Sequence, residues 1–193
     1  MKISGIILAG GMSIRMGNNK ALLTIGGLPM IERVSKVLSG VCQEIIIAGG
    51  NQSDMRYLGY PLVPDIYPGF GPLSGIHAGL VAAHNHYCFV SACDTPFLDE
   101  RLISKLVSEA QGYDAVILKH QDYFEPLTSL YSKAFIEAAE TSIKNGIYKV
   151  TNALSLIKWK AVTLNSEELT RYKKSLININ TPTDYEEAKK LEK

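Results

Sequence analysis

The sequence has few cysteines and no long apolar run, and both absences narrow the classes of protein to which it can belong. Its three cysteines, Cys42, Cys88 and Cys93, are odd in number and lack the paired spacing of zinc sites, so buried reduced thiols are expected. The first apolar run is interrupted by glycines too early for a membrane span, and no convincing signal-peptide cleavage region follows it. We therefore expect a cytoplasmic protein without membrane contact.

The chain also lacks an excess of charge of one sign. It has 20 Lys and Arg against 19 Asp and Glu, which gives a formal net charge of +1. A basic surface for nucleic acid is therefore not expected, and an anionic ligand must be held by a few placed groups. The four histidines form no metal pattern. The mixed aromatic and basic segments Tyr148-Lys149 and Lys158-Trp159-Lys160 are interpreted as ordinary solvated surface.

The composition that remains is that of an ordinary globular protein, with 46% hydrophobic residues among 193. This length suits one compact domain with a sizeable core. No internal repeat, low-complexity stretch or long linker divides the chain. We predict a single domain over residues 1–193.

Apolar, β-branched runs of strand length alternate with segments of helical periodicity. Strands are predicted at Ile3–Leu8, Glu44–Ala48, Tyr87–Ala92, 115–118 and 175–179, and helices at 30–38, 74–83 and 102–110. Residues 128–131 could add an edge or antiparallel strand, and Thr181-Pro182 with Asp184 is predicted to begin a last helix. Strands that are apolar on both faces and alternate with helices form a mainly parallel sheet covered on both sides, so the predicted class is α/β.

The loop after the first predicted strand has the residues of a phosphate site. Gly10 and Gly11 end the strand, and the cations Arg15 and Lys20 follow. Glycines let the backbone approach a ligand, and free N–H groups beside cations suit phosphates; a turn with two solvated cations is the alternative. The loop is not a P-loop, because no Gly-Lys-Ser/Thr is present. It is not the dinucleotide fingerprint either, because Gly10 and Gly11 are adjacent and the next glycine is Gly17.

Carboxylates and amides follow later segments of the chain, at the end of the sheet where ligands bind in open α/β folds. Asp94 comes directly after the most apolar predicted strand and suits Mg²⁺, which prefers one or two carboxylates plus substrate phosphates. Alternatively, Asp94 or Asp99 caps the next helix. Asp65 could accept hydrogen bonds from a base or ribose, or be a turn residue. Asn178 and Asn180 could reach the same end of the sheet, although helix capping explains Asn180 equally well.

Taken together, these segments resemble the molybdenum cofactor guanylyltransferases, which are MobA-like nucleotidyltransferases. The opening motif alone marks only the broad nucleotidyltransferase superfamily, whereas the combination is much more specific. The motifs occur in the family's order and spacing from residue 3 to about residue 188, and they are Leu8-Ala9-Gly10-Gly11, Ser13, Arg15-Met16-Gly17, Lys20-Ala21-Leu22-Leu23, Gly71-Pro72-Leu73 with Gly75, Cys93-Asp94-Thr95-Pro96-Phe97 and Asn178 to Pro182.

The resemblance implies a Rossmann-like fold and the transfer of GMP from GTP to the phosphate of molybdenum–molybdopterin, with release of pyrophosphate. It also implies cofactor-synthesis proteins and molybdoenzyme chaperones as further partners, and Asp94 as the Mg²⁺ ligand. Two positions depart from the family: Asn19 stands where many members have Asp, and Ala48 where some have Asn. The GTP contacts that the resemblance implies are Leu8, Ala9, Gly10, Gly11, Lys20, Asp65 and Asp94.

The expected mechanism needs no covalent enzyme intermediate. The terminal phosphate of the acceptor would attack the α-phosphorus of GTP in line, so catalysis would consist mainly of positioning and charge neutralisation. Arg15 and Lys20 would stabilise the β- and γ-phosphates while Mg²⁺ on Asp94 bridges phosphate oxygens. A phosphate nucleophile is already ionised near neutral pH, which removes the need for a general base.

Other functions remain open at this point. Within the same fold, the chain could be a molybdopterin cytidylyltransferase or a sugar-phosphate nucleotidyltransferase. Gly10 favours guanine, because the related cytidylyltransferases typically have Leu-Ala-Ala-Gly in this turn. In another class, the chain could be a non-catalytic GTP-binding protein that delivers the cofactor to apo-enzymes. The joint presence of Arg15, Lys20 and Asp94 argues against that function, because a pure binder needs no metal at the α-phosphate.

Overall fold

The computed structural model describes residues 1–10, 20–49 and 53–192. The strands of these residues are β1 Ile3–Leu8, β2 Thr24–Ile25, β3 Leu28–Pro29, β4 Glu44–Ala48, β5 Leu62–Val63, β6 Tyr87–Ala92, β7 Ala115–His120, β8 Tyr123–Ser132 and β9 Trp159–Thr163. Seven of them form one sheet in the order β5-β4-β1-β6-β8-β7-β9, and β2 and β3 form a separate hairpin. Within the large sheet only β8 runs antiparallel to its neighbours, so the sheet is mainly parallel, as predicted.

Helices cover both faces of the sheet, which confirms the predicted α/β class. They are α1 Met30–Val41, α2 Pro72–Ala82, α3 Glu100–Ser108, α4 Phe135–Lys144, α5 Val150–Ala153, α6 Ser166–Tyr172 and α7 Pro182–Lys190. Short 3₁₀ segments lie at Lys20–Leu22, Ser53–Leu58, Leu154–Leu156 and Lys173–Leu176. No helix in the described part of the chain has both the length and the apolar character needed to cross a bilayer.

Strand β1 is buried along its whole length because its two faces belong to two different hydrophobic clusters. Ile3 and Ile7 pack in the cluster that includes α1 and α3, whereas Ile6 and Leu8 pack in the cluster of α2 and α4. This alternation is the expected period of two for a strand. A run with apolar, mostly β-branched residues on both faces is thus the sequence pattern of a central strand covered on both sides.

Helix α2 lies directly against β1 because two glycines of the helix, Gly75 and Gly79, form the face that contacts the strand. A Cβ built on Gly79 would lie 2.6 Å from Ile6 Cγ2, and one on Gly75 would lie 3.0 Å from Leu8 Cδ2. Only the absence of a side chain permits this approach. The first turn of α2 is therefore held close to the carboxyl end of β1.

Three parts of the fold differ from the sequence prediction. The predicted strand at 175–179 is wrong: residues up to Leu176 form a 3₁₀ turn, and the amide of Ile179 donates to Asp94 O instead of a strand partner. The pattern at 128–131 belongs to β8, which is antiparallel, as one predicted alternative had it, but the strand is ten residues long and lies inside the sheet and not at its edge. The edge strand β9 was not predicted, since its five residues, Trp-Lys-Ala-Val-Thr, are too few to show a clear alternation of apolar and polar positions.

Candidate active site

The loop that follows β6 carries Asp94 and is held by hydrogen bonds from neighbouring segments. The amide of Cys93 donates to Leu8 O over 3.1 Å, and the amide of Ile179 donates to Asp94 O over 3.0 Å. Thr95 is buried, and its Oγ1 donates to Ala92 O over 2.8 Å. These bonds fix the backbone of Asp94, so its side chain projects from a rigid turn at the carboxyl end of the sheet.

Asp94 does not cap a helix. Its Oδ2 lies 2.6 Å from Lys20 Nζ, and the same ammonium group lies 2.8 Å from Asn180 Oδ1. The helix that follows, α3, is capped by Asp99, whose Oδ1 accepts from the amide of Arg101. The capping explanation therefore holds for Asp99, and Asp94 is left to the polar cluster.

The cluster of Lys20, Asp94 and Asn180 joins three distant parts of the chain in a partly exposed position. The side chains of Lys20 and Asp94 retain 16% and 18% of their accessible surface. At this depth an ion pair is screened less than on the open surface, yet solvent and small ions still have access. The arrangement is thus stable without a ligand and reachable by one.

Asn180 is positioned by the start of α7. Thr181 is the N-cap of this helix, and its Oγ1 accepts from the amide of Asp184. In return, Asp184 Oδ2 accepts from the amides of Asn180 and Thr181, each over 2.8 Å. These two backbone donors lower the pKa of the Asp184 carboxyl. The capping box therefore fixes the backbone of Asn180, and the side chain of Asn180 remains available to accept a hydrogen bond from Lys20.

Helix α7 in turn contacts the β2–β3 hairpin that follows Lys20. The Tyr185 hydroxyl donates to Thr24 O over 2.7 Å. Ile25, Met30, Ile179 and Ala188 form a small apolar cluster beneath this contact. The segment that follows Lys20 and the residues on both sides of Asn180 thus share one local core.

A second group of predicted residues lies where β1, β4 and β5 end. The amide of Ala9 donates to Ala48 O over 2.9 Å. A Cβ built on Gly49 would lie 3.3 Å from Gly10 Cα and 3.4 Å from Asp65 Oδ1, and Gly49 has φ +88°. Asp65 Oδ1 is buried. Gly10, Gly49 and Asp65 therefore adjoin, and both the space and the backbone conformation at position 49 require glycine.

The structure brings together most of the predicted site residues that it describes. Lys20, Asp94 and Asn180 are in contact, whereas Leu8, Ala9, Gly10 and Asp65 form the neighbouring group. Asn178 is exposed, and its side chain makes no hydrogen bond to the described residues. Gly11 and Arg15 lie outside the described residues, as does the departure at Asn19.

Two contributors to the site were missed by sequence reasoning. Gly49 follows β4 directly, and a Gly-Gly pair after a buried strand was the signal that could have identified it. Asp184 supports Asn180 from four positions away, and its place three residues after Thr181 is a capping-box spacing.

The three cysteines are free, as predicted, but of the three only Cys88 is fully buried, whereas Cys42 and Cys93 are partly buried. Burial raises the pKa of Cys93, next to Asp94, to about 12, and the nearby carboxylate adds to this effect. Burial likewise raises the pKa values of Cys42 and Cys88 to about 12. Since a thiol needs its thiolate form to act as a nucleophile, the chemistry of this site must come from its oxygen and nitrogen groups.

Comparisons with known proteins agree with this geometry. Residues 5–158 match the family model described as the MobA-like NTP transferase domain. A protein of Pelotomaculum thermopropionicum named "Probable molybdenum cofactor guanylyltransferase" is 40% identical over 190 residues, which are 98% of this chain and 93% of the relative. The "Molybdenum cofactor guanylyltransferase" of Desulfosudis oleivorans is 35% identical and covers 96% of this chain and 94% of its own.

Solved structures show the same fold. The molybdopterin-guanine dinucleotide biosynthesis protein A of Archaeoglobus fulgidus superposes with a TM-score of 0.81 at 29% identity, with 97% of each chain covered. The 2-C-methyl-D-erythritol 4-phosphate cytidylyltransferase of Thermus thermophilus has a TM-score of 0.72 at 16% identity, with 100% of this chain and 99% of that one covered, which shows likeness of fold alone. The chain therefore belongs to the family of MobA-like NTP transferases, and it is a nucleotidyltransferase.

Proposed function

We propose that the protein transfers GMP from GTP to the phosphate of molybdenum–molybdopterin, in a Mg²⁺-dependent reaction that releases pyrophosphate. The observation that carries the proposal is the cluster of Lys20, Asp94 and Asn180, in which Lys20 Nζ lies 2.6 Å from the carboxylate and 2.8 Å from the amide. A cation and a carboxylate at one point suit a reaction between two polyanions. The names of the sequence relatives support GTP as the nucleotide substrate and the molybdenum cofactor as the acceptor.

The cluster has the chemistry that a magnesium ion requires. Asp94 and Asn180 both direct oxygen atoms at one positive charge, and oxygen ligands are those that Mg²⁺ prefers. Among the described residues no three His, Cys, Asp or Glu side chains surround a common point. We therefore expect Asp94 to supply the protein carboxylate and the substrate phosphates to complete the coordination shell, with Asn178 and Asn180 as candidates for acceptor or second-metal contacts. When bound, the ion would neutralise phosphate oxygens.

Lys20 would exchange partners during the reaction. In the structure its ammonium group is held by Asp94 and Asn180. When a nucleoside triphosphate binds, its phosphates would attract Lys20 more strongly than the Asp94 carboxylate does, because they carry more negative charge. The Asp94 carboxylate would then be available to the metal. Arg15 would assist Lys20 at the leaving pyrophosphate. Both cations would then stabilise charge that develops in the transition state, which is the most effective form of electrostatic catalysis.

The nucleoside would lie over the group of Gly10, Gly49 and Asp65. Gly10 and Gly49 bring the backbone close together at the carboxyl ends of β1 and β4, and Asp65 Oδ1 lies beside them. Gly49 is buried and Gly10 is exposed, so a ligand would reach this group at Gly10. The hydroxyls of a ribose and the N–H groups of guanine are donors from which a carboxylate in this position can accept. Leu8, Ala9 and Gly11 would contribute backbone contacts to the same nucleotide.

The decisive experiment is incubation of the protein with molybdopterin, molybdate, Mg²⁺ and each NTP separately, with products identified by mass. A guanine dinucleotide and pyrophosphate formed from GTP alone would support the proposal. A cytosine dinucleotide would assign the protein to the cytidylyltransferases of the same fold. Tight GTP binding without pyrophosphate release would indicate a cofactor-delivery protein.

The reaction would take place in the cytoplasm. The three thiols are free, and a reducing compartment keeps them so. Cofactor-synthesis proteins and molybdoenzyme chaperones would be the partners that deliver the acceptor and collect the product. Fractionation of cells that express the protein would test the compartment.

A further inference from the structure

An open groove of about 300 Å³ lies apart from the Lys20–Asp94–Asn180 cluster. Its walls come from three elements: the first turn of α2, the strand β8 and the start of α5. Its size is at the lower end of the range for small-molecule sites, and its walls are mostly apolar with few polar groups, as is usual for such sites. The residues that matter here are Pro72, Pro126, Leu127, Tyr148, Lys149 and Thr151.

The groove lies at the same end of the sheet as Asp94. Thr128 in β8 pairs with Ser91 in β6, so Leu127 lies level with Ala92, the last residue of β6, and Pro126 lies just beyond that end. Ser91 Oγ is 3.0 Å from Thr95 Oγ1, which belongs to the Asp94 loop. One wall of the groove therefore continues directly into the loop that carries the catalytic carboxylate.

The opposite wall continues into the proposed nucleotide site. Pro72 begins α2, and Gly75 in the same turn faces Leu8 and Asp65 Oδ1, to which a Cβ would lie 3.0 and 3.9 Å away. The groove is thus flanked by the nucleotide group on one side and the Asp94 loop on the other. A ligand in it would extend toward the α-phosphate from a direction that the nucleotide does not use.

Tyr148 gives the groove an exposed aromatic ring. The ring stacks on Phe70, with centroids 4.9 Å apart and planes 17° apart, and Phe70 packs against the core cluster of α2 and α4. Tyr148 itself is 60% exposed. A ring that is held flat by an anchored neighbour and still open to solvent is a suitable platform for another planar ring.

The charge of the groove favours an anionic ligand. Lys149 is exposed, and its ammonium group forms no ion pair or hydrogen bond with the described residues. None of the groove's lining residues carries a carboxylate. Lys149 is therefore a positive group at the rim whose partner is not supplied by the described chain.

We propose that this groove binds the fused, nitrogen-rich ring of the acceptor, stacked on Tyr148, with Lys149 facing the negative charge that the acceptor carries. The inference rests on the proposed function, since it names the acceptor half of the same site. In-line transfer needs the attacking phosphate of the acceptor opposite the leaving pyrophosphate. The purine of GTP is already accounted for by the group around Asp65, so the ring of the acceptor needs a surface of its own. Tyr148 and Lys149 are thus acceptor-binding residues and not solvated surface.

The test measures binding of 6-hydroxymethylpterin monophosphate by its fluorescence, and of GTP by equilibrium dialysis, in separate titrations. The variants are Tyr148→Ala, Tyr148→Phe and Lys149→Gln, with Tyr123→Ala as the matched control, because Tyr123 is a similarly exposed tyrosine outside the groove. Tyr148→Ala should raise the Kd for the pterin roughly tenfold, since stacking on an aromatic ring is lost. Tyr148→Phe and Tyr123→Ala should stay within about twofold of the wild type. Lys149→Gln should remove most of the salt dependence of pterin binding.

Unchanged pterin binding in folded Tyr148→Ala would overturn the inference, and so would a loss of GTP binding in its place. Circular dichroism establishes that each variant is folded, and Lys149→Gln gives a second test at an exposed position. The inference and the proposed function can fail separately. If the wild type makes no guanine dinucleotide but binds the pterin through Tyr148, the function fails and the groove stands. If it makes the dinucleotide with the same acceptor KM in the wild type and Tyr148→Ala, the groove fails and the function stands.

Discussion

The two ends of the central strands each carry a small polar network, and the networks are built differently. At the amino end, Glu44 accepts hydrogen bonds from the Ser4 hydroxyl and from both the amide and Nδ1 of His84, the last two over 2.7 Å. Its partners belong to the strands themselves or to the residues just before them. At the carboxyl end, Lys20, Asp94 and Asn180 meet from three separate loops.

The hydrogen bonds of Glu44 at the amino end are complete, whereas the contact between Lys20 and Asp94 at the carboxyl end can be replaced by contacts with a ligand. Burial alone would raise the pKa of Glu44, but the bonds from His84 and Ser4 outweigh it and lower the pKa to about 2. Such a carboxylate already has the donors it needs. Asp94 is held mainly by one lysine, and phosphates and a metal could replace that contact. We therefore expect the amino end to determine stability and the carboxyl end to determine activity.

The largest effect is expected for Asp94→Asn. Loss of the single carboxylate charge should lower kcat by roughly 10³-fold, because the metal and the phosphates lose their placed partner. The melting temperature should change little, since the backbone bonds of the Asp94 loop remain. Initial rates of pyrophosphate release and a thermal melt measure both quantities. Wild-type turnover at ordinary Mg²⁺ concentrations would exclude the metal role.

Lys20→Ala should lower kcat by about 10²-fold, the scale of one lost electrostatic stabiliser. Arg15→Ala should have a cost of the same scale. Without nucleotide, Lys20→Ala should also bind Mn²⁺ more tightly than the wild type, because Asp94 no longer has its ammonium partner. Electron paramagnetic resonance of free Mn²⁺ measures this without turnover. A lower affinity for GTP at an unchanged saturated rate would reduce Lys20 to a ground-state binding residue.

Glu44→Gln tests the other end of the strands. It should lower the free energy of unfolding by about 1–2 kcal/mol, after allowance for solvent screening, and leave kcat unchanged. Because the folded-state pKa of Glu44 lies below its ordinary value of 4.5, its stabilisation is present above pH 4.5 and is lost as the pH falls toward about 2.

Urea unfolding of wild type and Glu44→Gln across this pH range gives the measurement. The two curves should converge near the acid limit. A difference in the free energy of unfolding that stays constant from neutral pH down to that limit would show that the charge of Glu44 does not stabilise the fold. A large loss of kcat in Glu44→Gln would show that the amino end also determines activity.

The smallest effect is expected for Gly10→Ala. A methyl group beside Gly49 would crowd a purine more than a pyrimidine, so the ratio of kcat/KM for GTP to that for CTP should fall a few-fold, mainly through GTP. Base choice also needs hydrogen bonds, which this change leaves in place. A folded variant with the wild-type ratio would remove Gly10 from the origin of guanine preference.

The sequence predicted the parts of this protein that local chemistry determines. Strands β1, β4 and β6 follow from runs that are apolar on both faces, and the site follows from the rule that ligands bind at the carboxyl ends of such strands. The start of α7 follows from Thr181-Pro182 with Asp184, because Pro is tolerated in a first turn and an acidic side chain suits the positive end of a helix. In each case neighbouring residues contain the information.

The parts that were missed depend on contacts between distant residues. Ile179 looked like a strand residue because it is apolar and β-branched, but its amide bonds to the Asp94 loop. The contact of Asn180 with Lys20 joins positions 160 residues apart. Tyr148 and Lys149 looked like ordinary surface, since the stacking on Phe70 that holds the ring flat has no trace in the local pattern.

The long separation of Lys20 and Asn180 also bears on how the protein matures. A contact across 160 residues closes a very large loop, so we expect it to form late in folding, after the local helices and neighbouring strands. A chain whose last helix has not yet docked would possess most of its sheet while Lys20 still lacks its contact with Asn180. The proposed catalytic centre would therefore report on complete folding: we expect an intermediate with native-like secondary structure to be inactive.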